Sequence, residues 1–271
     1  MMSFDDIDAR PGSVASRLRT LVGLYLRRLD GWVSSADLVH LMADLGVGDA
    51  QARTGIARLK SAGLLLPQRR ESSGYQLNPD AEAMLARGDR RIFASHPMTA
   101  QERWCLLSFS IPEARRSSRN QLRRQLQWLG CGTVAPALWI HRATAAPEIE
   151  LTLGELDLRG HATLFTTDDP LTGGALANAV ARWWDLDAIR LTHAAFLAAA
   201  AALESDAPFR RYVDGVDAWR VVPYADPGLP PTRMPAGWIG ELSAQVFAER
   251  RAQDEDAAWA HVQRVVGLRL Q

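Results

Sequence analysis

Cysteine is scarce in this 271-residue sequence: Cys105 and Cys131 stand far apart and without CxxC spacing. That excludes a disulfide framework and a zinc ribbon, and makes a reducing cytoplasm the expected compartment. Long apolar runs are missing too. The richest, Ala194 to Leu203, is mostly alanine and too short to span a bilayer, so no membrane partner is expected. The opening MMSFDDIDARPG is acidic and polar, without the basic start and apolar core of a signal peptide. Net charge is zero, which argues against a protein that coats nucleic acid and leaves room for a local basic patch. The six histidines, 40, 96, 141, 161, 193 and 261, form no HxH or HxxxH pair, so no metal site is expected. No GxSxG, P-loop or GxGxxG occurs. No cofactor is expected, and the chain reads as a non-enzyme.

What is present is organised around Gly48 to Leu77, GDAQARTGIARLKSAGLLLPQRRESSGYQL. Its first half has helical spacing, with Ile56, Leu59 and Ala62/Gly63 on one face and Gln51, Arg53, Thr54, Arg58 and Lys60 on the others. Between Gln51 and Arg70 lie five basic residues and no acidic one. Gly63 suits a left-handed helix stop. After it, a Leu-rich run, Gln68-Arg69-Arg70, a tip at Glu71–Gly74 and the strand Tyr75–Leu77 make a hairpin pattern. A basic helix followed by a basic-tipped hairpin is how a winged helix-turn-helix meets DNA.

The remainder falls around this module. Residues 1–12 read as a flexible tail. A helix from Ser13 carries Leu18, Leu21, Val22, Tyr25, Leu26 and Leu29, and a second, capped by Ser34 or Ser35, carries Leu38, Leu41, Met42 and Leu45. With the central stretch they give a winged domain over 13–79. A helical linker follows over 80–99, capped by Asn78 or Asp80 and closed at His96-Pro97. From Trp104 the order is a strand (WCLLSFSI), an Arg-rich helix (114–129), two short strands broken at Pro136, a helix (149–158) and a strand (162–167). This βαββαβ order over 100–170 predicts a ferredoxin-like sheet with helices on one face. Residues 171–271 read as a helical domain: helices near 175–184 and 185–204, a shorter one around Phe209 to Trp219, an irregular Pro-rich stretch and a final pair from Trp238. In Trp183-Trp184-Asp185, one tryptophan is expected in a core, with Asp185 as a helix cap. The fold class is thus α+β, mainly helical.

Four stretches together resemble the PaaX family of bacterial repressors of phenylacetic-acid catabolism: Ser16–Tyr25 (SRLRTLVGLY), Ala52–Leu65 (ARTGIARLKSAGLL), Leu122–Ile140 (LRRQLQWLGCGTVAPALWI) and Leu229–Phe247 (LPPTRMPAGWIGELSAQVF). The sequence departs from the family pattern at Ile239, where a proline is usual, and at His193, where a tyrosine is. The resemblance implies the same three domains, a homodimer, double-stranded operator DNA as partner, and release by a small-molecule effector: phenylacetyl-CoA or another acyl-CoA.

The DNA-contacting candidates are Gln51, Arg53, Thr54, Arg58 and Lys60 on the helix and Arg69 and Arg70 on the hairpin. Arginine can bond guanine with two donors, and glutamine can do the same for adenine. The same pattern also suits a solvated basic face on a protein-interaction module. For the effector, the candidates are Arg119, Arg123 and Arg124, whose guanidiniums suit CoA phosphates, with Trp128 and Trp139 as aromatic walls. Flanking DNA or plain solvent are alternative uses for those arginines, and a core role for those tryptophans. Two other classes stay open: a DNA-independent scaffold, and a nucleic-acid-processing enzyme built on the ferredoxin-like domain. The small CRISPR-associated nucleases place an aspartate at the end of the first strand of such a domain; here that strand carries no acid.

Overall fold

A computed structural model describes residues 10–94, 102–170, 172–203 and 207–267. Most of the expected tail, the His96-Pro97 closure and the chain's last residues lie outside the described residues. The first helix, α1 (Val14–Tyr25), starts where Ser13 Oγ accepts the amide of Ser16 at 3.2 Å, a cap worth ~0.5–2 kcal/mol. A one-turn 3-10 helix and Asp30 in the left-handed region lead into β1 (Trp32–Ser34). Ser34 then caps α2 (Ser35–Asp44), and a turn through Gly46 and Gly48 opens α3 (Asp49–Ser61). Gly63, at φ 79°, ends that segment in the conformation expected of it. β2 (Leu65–Arg69) and β3 (Ser73–Leu77) form the hairpin, and β1 pairs with β3, giving an antiparallel sheet in the order β1-β3-β2. This is the winged helix-turn-helix. The hairpin tip is shorter than the sequence suggests, because Ser73 pairs with Arg69 and Gly74 with both Gln68 and Ser34.

Asn78 caps a short 3-10 turn before α4 (Glu82–Phe93). The middle region then runs β4 (Trp104–Phe109), α5 (Arg116–Trp128), β5 (Gly132–Ala135), β6 (Leu138–Arg142), α6 (Ala146–Glu155) and β7 (Ala162–Thr167). Its sheet is antiparallel, ordered β5-β6-β4-β7, with the first and third strands adjacent at the centre as a ferredoxin-like βαββαβ domain requires.

Strand alternation sends β4 side chains to two different cores. Cys105, Leu107 and Phe109 pack with Leu122, Leu126, Ile149 and Leu153 of the two helices. Trp104, with Ile140 of β6, packs on the other face against Val180, Trp184, Leu186 and Ile189. These belong to α7 (Leu176–Trp183), Trp184 at its end, and α8 (Leu186–Ala202). Of the tryptophan pair, Trp184 is the buried one, donating Nε1 to the Gly130 carbonyl at 2.8 Å. Asp185 caps α8 by accepting the Ala188 amide at 3.0 Å.

Beyond α8 come α9 (Pro208–Trp219), the single turn α10 (Val222–Ala225) and α11 (Gly240–Val265). The expected final pair is therefore one helix of 26 residues. Its middle, RRAQDEDAA, is poor in apolar side chains yet contains no glycine or proline to stop it. Contacts divide the molecule into two compact units. One gathers the described parts of 1–93, 195–221 and 242–271, and the other those of 94–194 and 222–241. The C-terminal helices, expected as a separate block, thus contribute to both. In the first unit the winged helix shares its core with α9 and α11: Tyr25 stacks at 6.3 Å on Phe209 and at 6.1 Å on Trp259, and Trp219 at 4.7 Å on Phe247. In the second, the two positions that depart from the family pattern lie close together. His193 bonds Asp226 Oδ2 at 2.7 Å and meets the edge of Trp238, next to Ile239.

Candidate nucleic-acid interface

Helix α3 buries Ala52, Gly55, Ile56 and Leu59 and leaves the other face open. All five helix residues singled out from the sequence, Gln51, Arg53, Thr54, Arg58 and Lys60, are exposed. Gln51, Arg53, Arg58 and Lys60 make no side-chain hydrogen bond or ion pair among the described residues, so their donors are available to a partner. Thr54 differs: its hydroxyl donates to the Ala50 carbonyl at 2.9 Å, which leaves its oxygen as an acceptor and its methyl for apolar contact.

Gln51, Thr54 and Arg58, with Ala50 and Gly55, line one wall of an open groove of about 330 Å³, whose other wall is Val14 and Ala15 of α1. Arg53 and Lys60 do not line it. Close approach of α1 to α3 depends on Gly55, where a Cβ would stand 3.3 Å from both Leu18 Cδ2 and Val14 Cγ1. Asp49 lies in the first turn of α3, where the helix dipole favours it, and Arg58 and Lys60 lie in the last.

The wing holds its two arginines differently. Arg69, on β2, is exposed and has no side-chain partner among the described residues. Arg70, at the tip, lies over the ring of Trp32 at 5.3 Å and donates Nε to Gln68 Oε1 at 3.3 Å. Trp32 in turn donates Nε1 to the Gln68 carbonyl at 3.3 Å. Arg70 is thus held along the wing by a cation–π contact, and Trp32 is a residue of this surface that the sequence did not single out. Gly74 makes the arrangement possible. A Cβ there would overlap the Val33 carbonyl and come within 2.6 Å of the Trp32 ring. A tryptophan directly after the Asp30-Gly31 turn was the one available signal, and it does not reveal which side chain lies over the ring.

The second candidate group divides as well. Arg119 is committed to the Glu113 carboxylate at 2.9 Å and to the Ile111 carbonyl at 3.4 Å. Arg123 and Arg124 are exposed on α5 without a side-chain partner among the described residues. Trp128 lies half-buried against Tyr224, ring centres 4.3 Å apart. Trp139 is 1% exposed and belongs to the core between sheet and helices, so it is no wall of an open cleft. The neighbouring Arg115 bonds Asp157 at 2.6 Å and holds that exposed carboxyl below its ordinary pKa. Among the described residues no group of three or more His, Cys, Asp or Glu could hold a metal ion, and no helix is long and apolar enough to cross a membrane.

Comparison with known proteins agrees with this geometry along nearly the whole chain. Residues 13–81 match the description "PaaX-like protein", residues 97–179 "PaaX protein central Cas2-like domain" and residues 184–264 "PaaX-like protein C-terminal domain". The transcriptional repressor PaaX of Escherichia coli (strain K12) is 25% identical over 270 residues, covering 94% of this chain and 85% of that protein. The structure of the uncharacterized protein Rv0674 from Mycobacterium tuberculosis superposes with a TM-score of 0.63 at 23% identity, over 91% of this chain and all of that one, a likeness of fold. With three consecutive matches in family order and a winged helix-turn-helix whose basic face is open, the chain belongs to the PaaX family of transcriptional repressors.

Proposed function

We propose that this chain represses transcription by binding an operator as a dimer and is released by an aryl-CoA thioester such as phenylacetyl-CoA. The observation that carries the DNA-binding part is the face of α3. Arg53, Arg58, Lys60 and Gln51 are exposed together without internal partners, on the helix that a winged module inserts in the major groove. Phosphate contacts then set affinity and base-edge contacts set sequence preference, and because the chain as a whole carries no net charge, its attraction for DNA comes from this local patch.

In this reading Gln51, Arg53 and Arg58 contact base edges or the adjacent backbone, while Arg69 on the wing neutralises a phosphate. Two winged domains related by a two-fold axis match two half-sites of an inverted repeat. The effector is the one that the family resemblance implies, and Arg123 and Arg124, exposed on α5 without a side-chain partner among the described residues, are available for its anionic group. To move the operator from 99:1 occupied to 1:99, the thioester must favour the released state by ~5.5 kcal/mol.

Fluorescence anisotropy on DNA from upstream of the protein's own gene, against scrambled DNA, tests this with and without phenylacetyl-CoA. Selective binding that the thioester abolishes is the expected result. Selective binding untouched by the thioester rejects the effector, and no selectivity on any promoter fragment favours the scaffold reading.

A further inference from the structure

Helix α1 uses two faces. Val14 and Leu18 meet Gly55 of the recognition helix, while Ser16, Arg17 and Thr20 meet α9. The second contact is built from buried charge. Asp217 is 1% exposed. Its Oδ1 accepts from Ser16 Oγ, from Thr20 Oγ1 at 2.8 Å and from Arg220 Nε at 3.1 Å, and its Oδ2 accepts the Gly12 amide at 2.7 Å. Arg220, also buried, donates Nη2 to Ser16 Oγ at 2.7 Å, so that hydroxyl donates one hydrogen bond to Asp217 and accepts another from Arg220. Nearby on α9, Asp214 accepts both Nε and Nη2 of Arg17, at 2.7 and 2.9 Å.

Stability alone does not account for this joint. Desolvating a carboxylate and a guanidinium is expensive, and well-packed apolar side chains of similar volume often hold helices together as well or better. The same helix shows that alternative at its other end, where Tyr25 packs on Phe209 and Trp259. What hydrogen-bonded charges add is direction: their distances and angles are met together at one register of α1 on α9.

We propose that Asp217 is a positioning residue for DNA recognition. It fixes α1 on α9 and, through the Gly55 contact, holds α3 at the setting in which its side chains reach base edges. The inference rests on the DNA-reading role proposed above for α3, and it deepens that role by making α9 part of the reading head.

The test replaces the cluster by an apolar one: Ser16→Ala, Thr20→Val, Asp217→Leu and Arg220→Met together, with Asp217→Asn alone as the milder variant. Affinity is measured by anisotropy on the duplex that the wild-type protein enriches from a random-sequence library, and on a scrambled duplex. Folding is followed by circular dichroism. The apolar set removes one charge of each sign, so affinity for scrambled DNA is expected to stay at the wild-type level. Its ratio of selected to scrambled affinity is expected to fall at least about tenfold, the loss of one or more base-edge contacts, while the protein still melts cooperatively. Asp217→Asn moves the ratio in the same direction and decides the matter if the apolar set does not fold. A folded variant with the wild-type ratio overturns the inference, whatever its melting temperature. A wild-type protein that enriches no duplex overturns the DNA-reading role and this inference with it, whereas retained discrimination in the variant overturns this inference alone.

Discussion

Gly55 of α3 faces Leu18 of α1 across a gap that leaves a side chain almost no room: a Cβ would sit 3.3 Å from Leu18 Cδ2. Gly55→Ala trades this tight contact against the ~0.5–1 kcal/mol that alanine gains over glycine inside a helix, so little net change is expected. Gly55→Leu has no such compensation. It should cost ~1–3 kcal/mol by overpacking, and it should weaken operator binding more than scrambled-DNA binding as α3 shifts. Urea unfolding of the two variants separates these outcomes, and equal stability would mean that the helices yield freely there.

At the wing the limiting contact is Gly74 with Trp32. Gly74→Ala would place a Cβ against the Val33 carbonyl and 2.6 Å from the indole. Backbone cannot give way as a flexible side chain can. A loss of ~1–3 kcal/mol is expected, together with a shift in Trp32 fluorescence as the ring leaves its place between strand and Arg70. An unchanged melting curve would show that β1 and β3 separate easily.

Arg53, Arg69 and Arg70 should differ in kind. Arg53→Ala is expected to cost ~1–3 kcal/mol on the operator and little on scrambled DNA. Arg69→Ala should weaken both alike and lower the salt slope by ~1. Arg70, held over Trp32, should weaken both less than Arg69 while lowering the stability of the winged domain. Equal losses for all three on both duplexes would contradict the assignment of base reading to α3.

Burial pushes the Cys105 thiol up to about 11, with Glu150 adding to the effect. The fold favours the protonated thiol. Its contribution to stability is therefore complete below the unfolded value of 9.0 and is lost as pH rises through about 11. In native protein at pH 8, Cys105 should resist iodoacetamide and react after denaturation, as read by mass spectrometry. Cys105→Ala should flatten the fall in stability at alkaline pH. Rapid labelling of the native protein at this residue would contradict the burial.

Local signals made the winged module legible. Gly63 stops α3, the Arg69–Leu77 pattern gives a hairpin, and the buried stripe of α3 is the one its spacing predicts. The alternation in WCLLSFSI likewise gives β4 but is silent on how its two faces are covered. Distance along the chain hid the rest. Asp217 meets Ser16 over 201 positions and Asp254 meets Arg211 over 43, and no local pattern marks an aspartate as someone else's buried partner. The same holds for Asp254 inside α11. Its polar surroundings suggest a break between two helices, while a 2.5 Å ion pair to α9 lets the helix run on. Trp139 shows the converse: its neighbours in sequence suit a ligand wall, but strand alternation turns it into the core.

The most direct test of the central claim is the salt dependence of operator binding for the wild type and for Arg53→Ala with Arg58→Ala. If α3 reads DNA, the wild type binds selectively with a steep salt slope. The double variant then loses the selectivity and lowers the slope by up to ~1 for each arginine that contacted a phosphate. A double variant with the wild-type selectivity and slope would contradict the account, because DNA would then be held by some other surface.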